Sequence, residues 1–178
     1  MAYSNRGLRG GTFEEVINLS NEQYRQQGLA LIQKIPTPIV PVNIDKESRT
    51  ITLAYFEQKS TVDYIGVVQG IPACFDAKET RQKHLPISNI HQHQMEFMAQ
   101  FIKQKGVAFI IVNFALYEEC YLLPFELLKS YWDAAQKGGR KSIPYDAFKQ
   151  GYRIDRRGGY IHYLEALDKY LSYIDKIE

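Results

Sequence analysis

The sequence Ser60-Thr61-Val62-Asp63-Tyr64, together with Phe75-Asp76-Ala77-Lys78-Glu79, decides the fold of this chain. Residues 65–74 between them form two short apolar runs on either side of Gln69-Gly70. A polar residue followed by glycine between two such runs is typical of a β-hairpin turn. Because a hairpin reverses the chain, we expect Asp63 to lie beside Asp76.

The second segment predicts a charged strand face. Side chains alternate along a strand, so Asp76 and Lys78 point to one face while Phe75 and Ala77 pack on the other. A carboxylate inside a strand is costly unless a cation compensates it, and Lys78 or a metal ion would do so. The plainer alternative is a solvated strand face that carries an Asp and Lys pair. The second acid across the hairpin favours a site, in the pattern of the PD-(D/E)XK nucleases.

The expected metal is Mg²⁺, with Mn²⁺ as a substitute. Carboxylate oxygens are hard ligands, and no cysteine or histidine cage accompanies them. The ion would polarise the scissile phosphate and activate a water, while Lys78 would orient that water or neutralise the developing charge. Glu14 or Glu15 could add a further carboxylate, although capping of the first helix is the ordinary role for such a residue.

Composition favours one domain, residues 1–178, with a hydrophobic core. Of the 178 residues 45% are hydrophobic and 24% charged, and the formal net charge is +2. That charge is too small to demonstrate nucleic-acid binding, but the basic residues are grouped. They are either solvated surface charges or a set that follows phosphates: Arg6 and Arg9, Arg81 and Lys83, Arg140 and Lys141, and Arg153, Arg156 and Arg157.

Cysteine content and hydropathy predict a cytoplasmic protein. Cys74 and Cys120 lie in apolar runs without zinc-binding spacing, so both are expected to be reduced core residues. No apolar run approaches the ~18 residues of a membrane span, and the first residues lack the apolar core of a signal peptide. No membrane partner is expected.

Residues 36–56 are predicted to form a projecting arm. Three prolines between positions 36 and 41 exclude a central strand there and stiffen the backbone. Residues 43–49 form a polar tip, and residues 50–56 alternate as a returning strand.

The rest of the pattern alternates helices and strands. Thr12 and Glu15 predict a capping box at the start of a helix over residues 12–27, and the apolar run at 107–114 predicts a central strand buried on both sides. The other predicted elements are a strand at 29–34, a polar loop after the Asp76 strand, a helix at 91–105, a strand at 120–123, a helix at 124–136 and a last helix at 163–177.

Two polar groups near these elements have alternative interpretations. His91 and His93 are two positions apart, do not share a helix face and therefore make a poor zinc clamp. Gln94 could offer an amide oxygen to the magnesium ion or to its water, although surface glutamine is the ordinary case. Tyr64 could contact DNA, although most tyrosines pack in a core.

Taken together, these segments resemble the RecU family of Holliday junction resolvases, from Gram-positive bacteria and some of their phages. The resemblance runs nearly end to end. It rests on Arg9-Gly10-Gly11-Thr12-Phe13-Glu14, Ile17-Asn18, Asn21, Pro36-Thr37-Pro38, Ala54-Tyr55-Phe56, Ser60-Thr61-Val62-Asp63-Tyr64, Phe75-Asp76-Ala77-Lys78-Glu79-Thr80 and His91-Gln92-His93-Gln94. One motif departs from the family, which usually has Phe-Glu-Ala-Lys-Glu-Thr, because Asp76 is one methylene shorter than glutamate.

The resemblance implies a PD-(D/E)XK restriction-endonuclease-like core, an α/β fold with a mixed central sheet flanked by helices. It implies that the arm at 36–56 is a stalk that enters the centre of a DNA junction. It also implies transition-state stabilisation by Lys78 and metal ligation by Thr61, Asp63, Asp76 and Gln94. DNA contacts are expected from Arg9, Lys46, Arg49 and Arg81.

The implied activity is Mg²⁺-dependent hydrolysis of phosphodiester bonds in four-way DNA junctions during recombination and repair. A homodimer with two identical sites would match the approximate two-fold symmetry of the junction. A recombinase and a branch-migration helicase are the expected protein partners. Two alternatives stay open: another PD-(D/E)XK nuclease that cuts linear duplex, and a non-catalytic junction-binding or recombinase-modulating protein, against which the intact Asp63, Asp76 and Lys78 argue.

Overall fold

The computed structural model describes residues 12–57 and 61–174. The helices are α1 (Phe13–Gln26), α2 (Gln92–Lys103), α3 (Phe125–Gln136), α4 (Tyr145–Lys149) and α5 (Tyr163–Ile174), with a short 3₁₀ turn at Ile87–Asn89. The strands are β1 (Ala30–Lys34), β2 (Ile39–Asp45), β3 (Thr50–Phe56), β4 (Tyr64–Val68), β5 (Ile71–Thr80), β6 (His84–Pro86), β7 (Val107–Phe114), β8 (Glu119–Pro124), β9 (Ser142–Pro144), β10 (Tyr152–Ile154), β11 (Arg156–Arg157) and β12 (Tyr160–Ile161).

The main sheet has six strands in the order β1-β4-β5-β7-β8-β10. Strands β5 and β7 pair in parallel, and the other neighbours pair antiparallel. The sheet is therefore mixed, as predicted. Strand β7 is interior, and its residues from Ala108 to Phe114 are all buried, which confirms the predicted central strand.

Helices cover both faces of this sheet. Helices α2 and α3 pack on one face through Met95, Met98 and Leu128, among others. Helices α1 and α5 pack on the opposite face through residues that include Ile17 and Leu167. This arrangement confirms the α/β class with flanking helices.

The start of α1 follows the predicted capping box. The Thr12 hydroxyl accepts a hydrogen bond from the Glu15 amide at 3.3 Å, and the Glu15 carboxylate accepts one from the Thr12 amide at 2.6 Å. Glu15 is thus the capping acid of this helix, and Glu14 is left for another role.

The turn between β4 and β5 lies at Gln69-Gly70, as predicted. Both residues have positive φ, 48° for Gln69 and 88° for Gly70. Positive φ at both central positions matches the type I′ turn, whose twist fits a two-residue hairpin. The register that follows pairs Tyr64 with Phe75.

Strands β2 and β3 form a separate two-stranded hairpin outside the main sheet. Seven of its large apolar side chains are 45–75% exposed; they are Ile39, Val42, Ile44, Ile51, Leu53, Tyr55 and Phe56. This hairpin forms most of the segment 36–56, which was predicted to be a projecting arm. Its exposed apolar surface requires a functional explanation.

Two regions contain more structure than the sequence pattern predicted. The segment after β5, interpreted as a polar loop, contains β6 and the buried residues Leu85, Ile87 and Ile90. Strand β6 pairs with β9, and residues 142–161 also contain α4 and β10 to β12. Elements of two to five residues are too short to display a periodic pattern.

Cys74 and Cys120 are free and buried, as predicted. Burial raises the pKa of each thiol to about 12, so both are neutral core residues. None of the helices in residues 12–57 and 61–174 combines the length and the hydrophobicity that a membrane span requires.

Candidate active site at the fork between β4 and β5

The two predicted carboxylates lie where β4 separates from β5. Strand β4 pairs with β5 only as far as the register Tyr64–Phe75, whereas β5 continues to Thr80. Beyond that point Asp63 replaces the missing strand partner. Its Oδ2 accepts a hydrogen bond from the Ala77 amide at 2.9 Å, and its own amide donates to Oδ1 of Asp76 at 3.1 Å. The predicted proximity of Asp63 and Asp76 is therefore present.

Asp76 is fully buried and has three polar partners. Besides the Asp63 amide, Oδ2 of Asp76 contacts the Lys78 ammonium and accepts a hydrogen bond from Nε2 of Gln94 at 2.8 Å. Asp76 and Lys78 share one strand face, as predicted, and this is the face on which α2 packs. The ammonium and the two N–H donors offset the cost of burying the carboxylate.

Gln94 reaches Asp76 from the first turn of α2. Its Oε1 accepts a hydrogen bond from the His91 amide at 3.0 Å, so its amide nitrogen faces the carboxylate. The predicted ligand role requires an oxygen on that side. A rotation of the Gln94 amide by about 180° would supply it, but both present hydrogen bonds would be lost, because Nε2 would then face the His91 N–H and Oε1 the Asp76 carboxylate. A cation between the two oxygens would be needed to offset that loss.

The interaction between the carboxylates changes the acidity of Asp63. Burial, followed by the hydrogen-bonded and repulsive proximity of Asp76, raises the pKa of Asp63 from 3.8 to about 6. The ionised form of Asp63 is therefore unfavourable in this site, even with Lys78 alongside. Hard oxygen ligands in a site short of positive charge fit a Mg²⁺ or Mn²⁺ ion. Within residues 12–57 and 61–174, no group of three or more His, Cys, Asp or Glu residues is placed to hold a metal.

Aromatic rings on the opposite face fix the strand segments that carry the acids. The ring of Tyr64 stacks on Phe75 at 4.7 Å between centroids, and Phe75 stacks on Phe109 at 4.9 Å. Tyr64 follows Asp63 directly in the sequence, and Phe75 directly precedes Asp76. The Tyr64 hydroxyl donates to Oδ1 of Asn18 at 3.0 Å, which ties this stack to α1.

This geometry corrects two sequence-based expectations. Tyr64 is fully buried, so the suggested contact of Tyr64 with DNA is wrong; strand alternation turns it away from the Asp63 face. The rings of His91 and His93 stack at 5.4 Å, although the pair was expected not to share a face. The reason is that His91 is the N-cap, with extended φ and ψ of −103° and 149°, and does not follow helical spacing.

The other predicted site residues are spread over the molecule. Thr61 is half-buried two positions before Asp63, and Arg81 is exposed just beyond β5. Glu14 forms an ion pair with Lys34 and does not join the Asp63 and Asp76 pair. Lys46 and Arg49 are exposed at the hairpin tip, and Arg9 lies outside the described residues.

The carboxylate pair predicts a pH-dependent stability. The folded pKa of Asp63 is raised, so between about pH 4 and pH 6 the folded chain holds a proton that the unfolded chain has lost. The contribution of this proton to the free energy of unfolding is full below about pH 4 and is lost as the pH rises through about 6. It is worth about 3 kcal/mol. Thermal unfolding without metal should show this decline.

Addition of Mg²⁺ should offset the decline. At about pH 7.5 Mg²⁺ should raise the melting temperature more than at about pH 5, because protons compete with the metal for the pair. The variant Asp63→Asn should lose both the pH effect and the Mg²⁺ shift. An equal Mg²⁺ shift in that variant would place the ion elsewhere.

Comparison with known proteins places the chain in a family. A family model described as "Recombination protein U" matches residues 8–169. The chain belongs to the RecU family. It is 40% identical over 179 residues to the "Holliday junction resolvase RecU" of Oceanobacillus iheyensis, which covers 98% of this chain and 87% of that protein.

Other RecU proteins are similar to the same extent. The protein of that name from Levilactobacillus brevis is 43% identical over 95% of this chain and 87% of its own length. The one from Lactococcus lactis is 44% identical over 92% of this chain and 78% of its own length. The RecU match spans both the carboxylate fork and the exposed hairpin.

Proposed function

We propose that this RecU-family chain is a Holliday junction resolvase, a Mg²⁺-dependent endonuclease that hydrolyses phosphodiester bonds in four-way DNA junctions. The observation that carries the proposal is the fork itself, where Asp63 and the buried Asp76 meet beside Lys78. The names of the relatives support the choice of substrate. The cellular setting would be recombination and repair in the cytoplasm, with a recombinase and a branch-migration helicase as partners.

Each site residue has a role in this proposal. Asp63 and Asp76 would hold the divalent ion, and Thr61 and Gln94 would complete its ligands. When bound, that ion would supply Lewis-acid polarisation of the scissile phosphate and a more acidic water. Lys78 carries its ammonium beside Asp76, where it would stabilise charge that develops on the phosphate.

The proposed fold type is the PD-(D/E)XK core. Its support is the order of elements around the fork: an antiparallel β4-β5 hairpin carries both acids and the lysine, and β5 is followed across α2 by the parallel strand β7. The helix that makes this crossover also carries Gln94. The crossover therefore brings a residue from the middle of the chain to the carboxylates.

We assign the β2-β3 hairpin as the stalk of a homodimer. A hairpin that exposes seven large apolar side chains is suited to contact with a partner or with DNA bases. Two copies related by a two-fold axis would present two identical forks to a junction of matching symmetry. Lys46 and Arg49 at the tip would then meet phosphates near the junction centre.

Removal of the two basic side chains at the hairpin tip should reduce the preference for a four-way junction over a linear duplex. The double variant Lys46→Ser, Arg49→Asn should bind a four-way junction about tenfold more weakly, because two phosphate contacts are lost. Asn is chosen because Arg49 has φ of 54°, a conformation that asparagine tolerates. Binding to a linear duplex should change much less, as measured by fluorescence anisotropy.

Glu47→Gln at the same tip is the matched control and should not weaken junction binding. The Asp45 side chain accepts hydrogen bonds from the backbone amides of Glu47 and Ser48, and both variants keep these bonds. Equal weakening on junction and duplex would contradict a stalk that enters the junction.

A cleavage assay with and without Mg²⁺ tests the function as a whole. Matched four-way and linear substrates of the same sequence separate a resolvase from a duplex nuclease, which would cut both at similar rates. Paired nicks in the junction alone, dependent on Mg²⁺ or Mn²⁺, are expected. Binding without any cleavage would instead indicate the non-catalytic alternative.

A further inference from the structure

Three arginines follow one another closely in and after β10, and two of them are neutralised. Arg153 forms an ion pair with Glu119 at 3.2 Å, and Arg157 pairs with Glu165. Arg156 differs, because in the described part of the chain no carboxylate lies within ion-pair distance of it.

Arg156 is held instead by a neutral amide. Its Nη2 donates to Oδ1 of Asn113 at 2.5 Å, and Nδ2 of Asn113 donates to Oε2 of Glu79 at 2.5 Å. The Cys120 thiol, which is neutral, is a further polar neighbour of the guanidinium. An exposed guanidinium that is positioned but not neutralised keeps its charge and free N–H donors for an anion.

The register of the sheet connects Arg156 to the strand that carries the catalytic groups. Asn113 on β7 lies directly opposite Glu79 on β5, the residue after Lys78. Asn113 is only 7% exposed, so its amide is a fixed link between Glu79 and Arg156. The guanidinium is therefore fixed relative to the end of β5, although it comes from a distant part of the chain.

Arg156 lies near the ends of β5 and β7, on the face of the sheet opposite to the carboxylate pair. Asn113 lies one strand across and three residues beyond the level of Asp76. Side chains alternate along a strand, so Asn113 and Glu79 share the α1 and α5 face with Phe109 and Ile111, whereas Asp76 and Lys78 point to the α2 face. Arg81, exposed beyond the end of β5, lies at the same end of the sheet.

We propose that Arg156, positioned by Asn113, binds a backbone phosphate of the junction DNA near the ends of β5 and β7. This inference rests on the proposed function. It assigns to one arginine of the group a positioning role, whereas Arg153 and Arg157 hold the local structure together. Its contact is with the backbone and is independent of base sequence.

The test measures junction binding as a function of salt. In a cleavage-inactive Asp63→Asn background, Arg156→Met should weaken binding about five- to tenfold and reduce the slope of log K against log salt by about one. Arg156→Lys should restore most of the slope. Arg157→Met is the matched control, and it should leave the slope unchanged because its charge is already paired with Glu165.

The outcomes separate the inference from the proposed function. If Arg156→Met lowers the melting temperature but leaves the slope unchanged, Arg156 is a structural link and the inference is wrong. Equal slope changes in Arg156→Met and Arg157→Met would also overturn it, since pairing would then not matter. If the Asp63→Asn parent itself does not prefer a four-way junction, the proposed function fails first.

Discussion

Asp63→Asn should reduce junction cleavage by about 10³-fold or more while junction binding stays intact. Asparagine keeps the oxygen that accepts from the Ala77 amide, so the fork retains its shape. It removes the negative charge that the divalent ion requires. Phosphate contacts lie on other residues, so affinity should not follow activity.

The same substitution should stabilise the metal-free protein. Burial, followed by the hydrogen-bonded and repulsive proximity of Asp76, raises the pKa of Asp63 to about 6, so at neutral pH its ionised form is unfavourable. Replacement by a neutral amide should increase the free energy of unfolding by about 1–3 kcal/mol. Gain of stability with loss of activity is the behaviour expected of a functional site.

Two further variants complete this experiment. Lys78→Ala should also lower cleavage by about 10²-fold or more, but with a loss of stability, because Asp76 would lose its ammonium partner. Asp133→Asn removes an exposed carboxylate that pairs with Lys129 and should change neither activity nor binding. Undiminished cleavage by Asp63→Asn would show that the fork is not the catalytic centre.

Phe75→Ala should destabilise the fold by about 3–5 kcal/mol. Phe75 is fully buried between the rings of Tyr64 and Phe109, and its removal leaves a cavity in the α1 and α5 face of the core. Urea unfolding followed by circular dichroism measures the change. Activity should fall as well, because the stack fixes the segments that carry Asp63 and Asp76.

Two further substitutions serve as controls for Phe75→Ala, one at the same buried site and one on the surface. Phe75→Leu should cost much less, since it keeps most of the volume. Tyr173→Ala removes a ring that is 59% exposed and should change stability by less than about 0.5 kcal/mol. A loss below about 1 kcal/mol in Phe75→Ala would contradict the proposed role of the stack.

Much of the fold follows from local pattern. The capping box at Thr12, the turn at Gln69-Gly70 and the buried run of β7 each depend on a few neighbouring residues, and each is present. The elements that were not predicted are β6, β9 to β12 and α4. They are short, and pairing with distant segments stabilises them more than any local preference does.

Some features of the site also follow from local pattern, and others depend on tertiary packing. The proximity of Asp63, Asp76 and Lys78 followed from strand alternation and one hairpin. The orientation of the Gln94 amide, the stacking of His91 on His93 and the burial of Tyr64 did not, since each depends on how α1 or α2 packs against the sheet. The sequence grouped Arg153, Arg156 and Arg157 as equals, and no local signal distinguished them.

The sequence by itself determined which side chains share a strand face and where the hairpin turns, because alternation and turn chemistry act over a few residues. It also determined the family, through motifs distributed along the chain. Only the tertiary structure decided how much Asp63 and Asp76 disturb each other, which acids neutralise which arginines, and that Arg156 is left to a neutral amide. Those outcomes depend on burial and on distances between groups far apart in sequence, and the free energy of a charge depends on both.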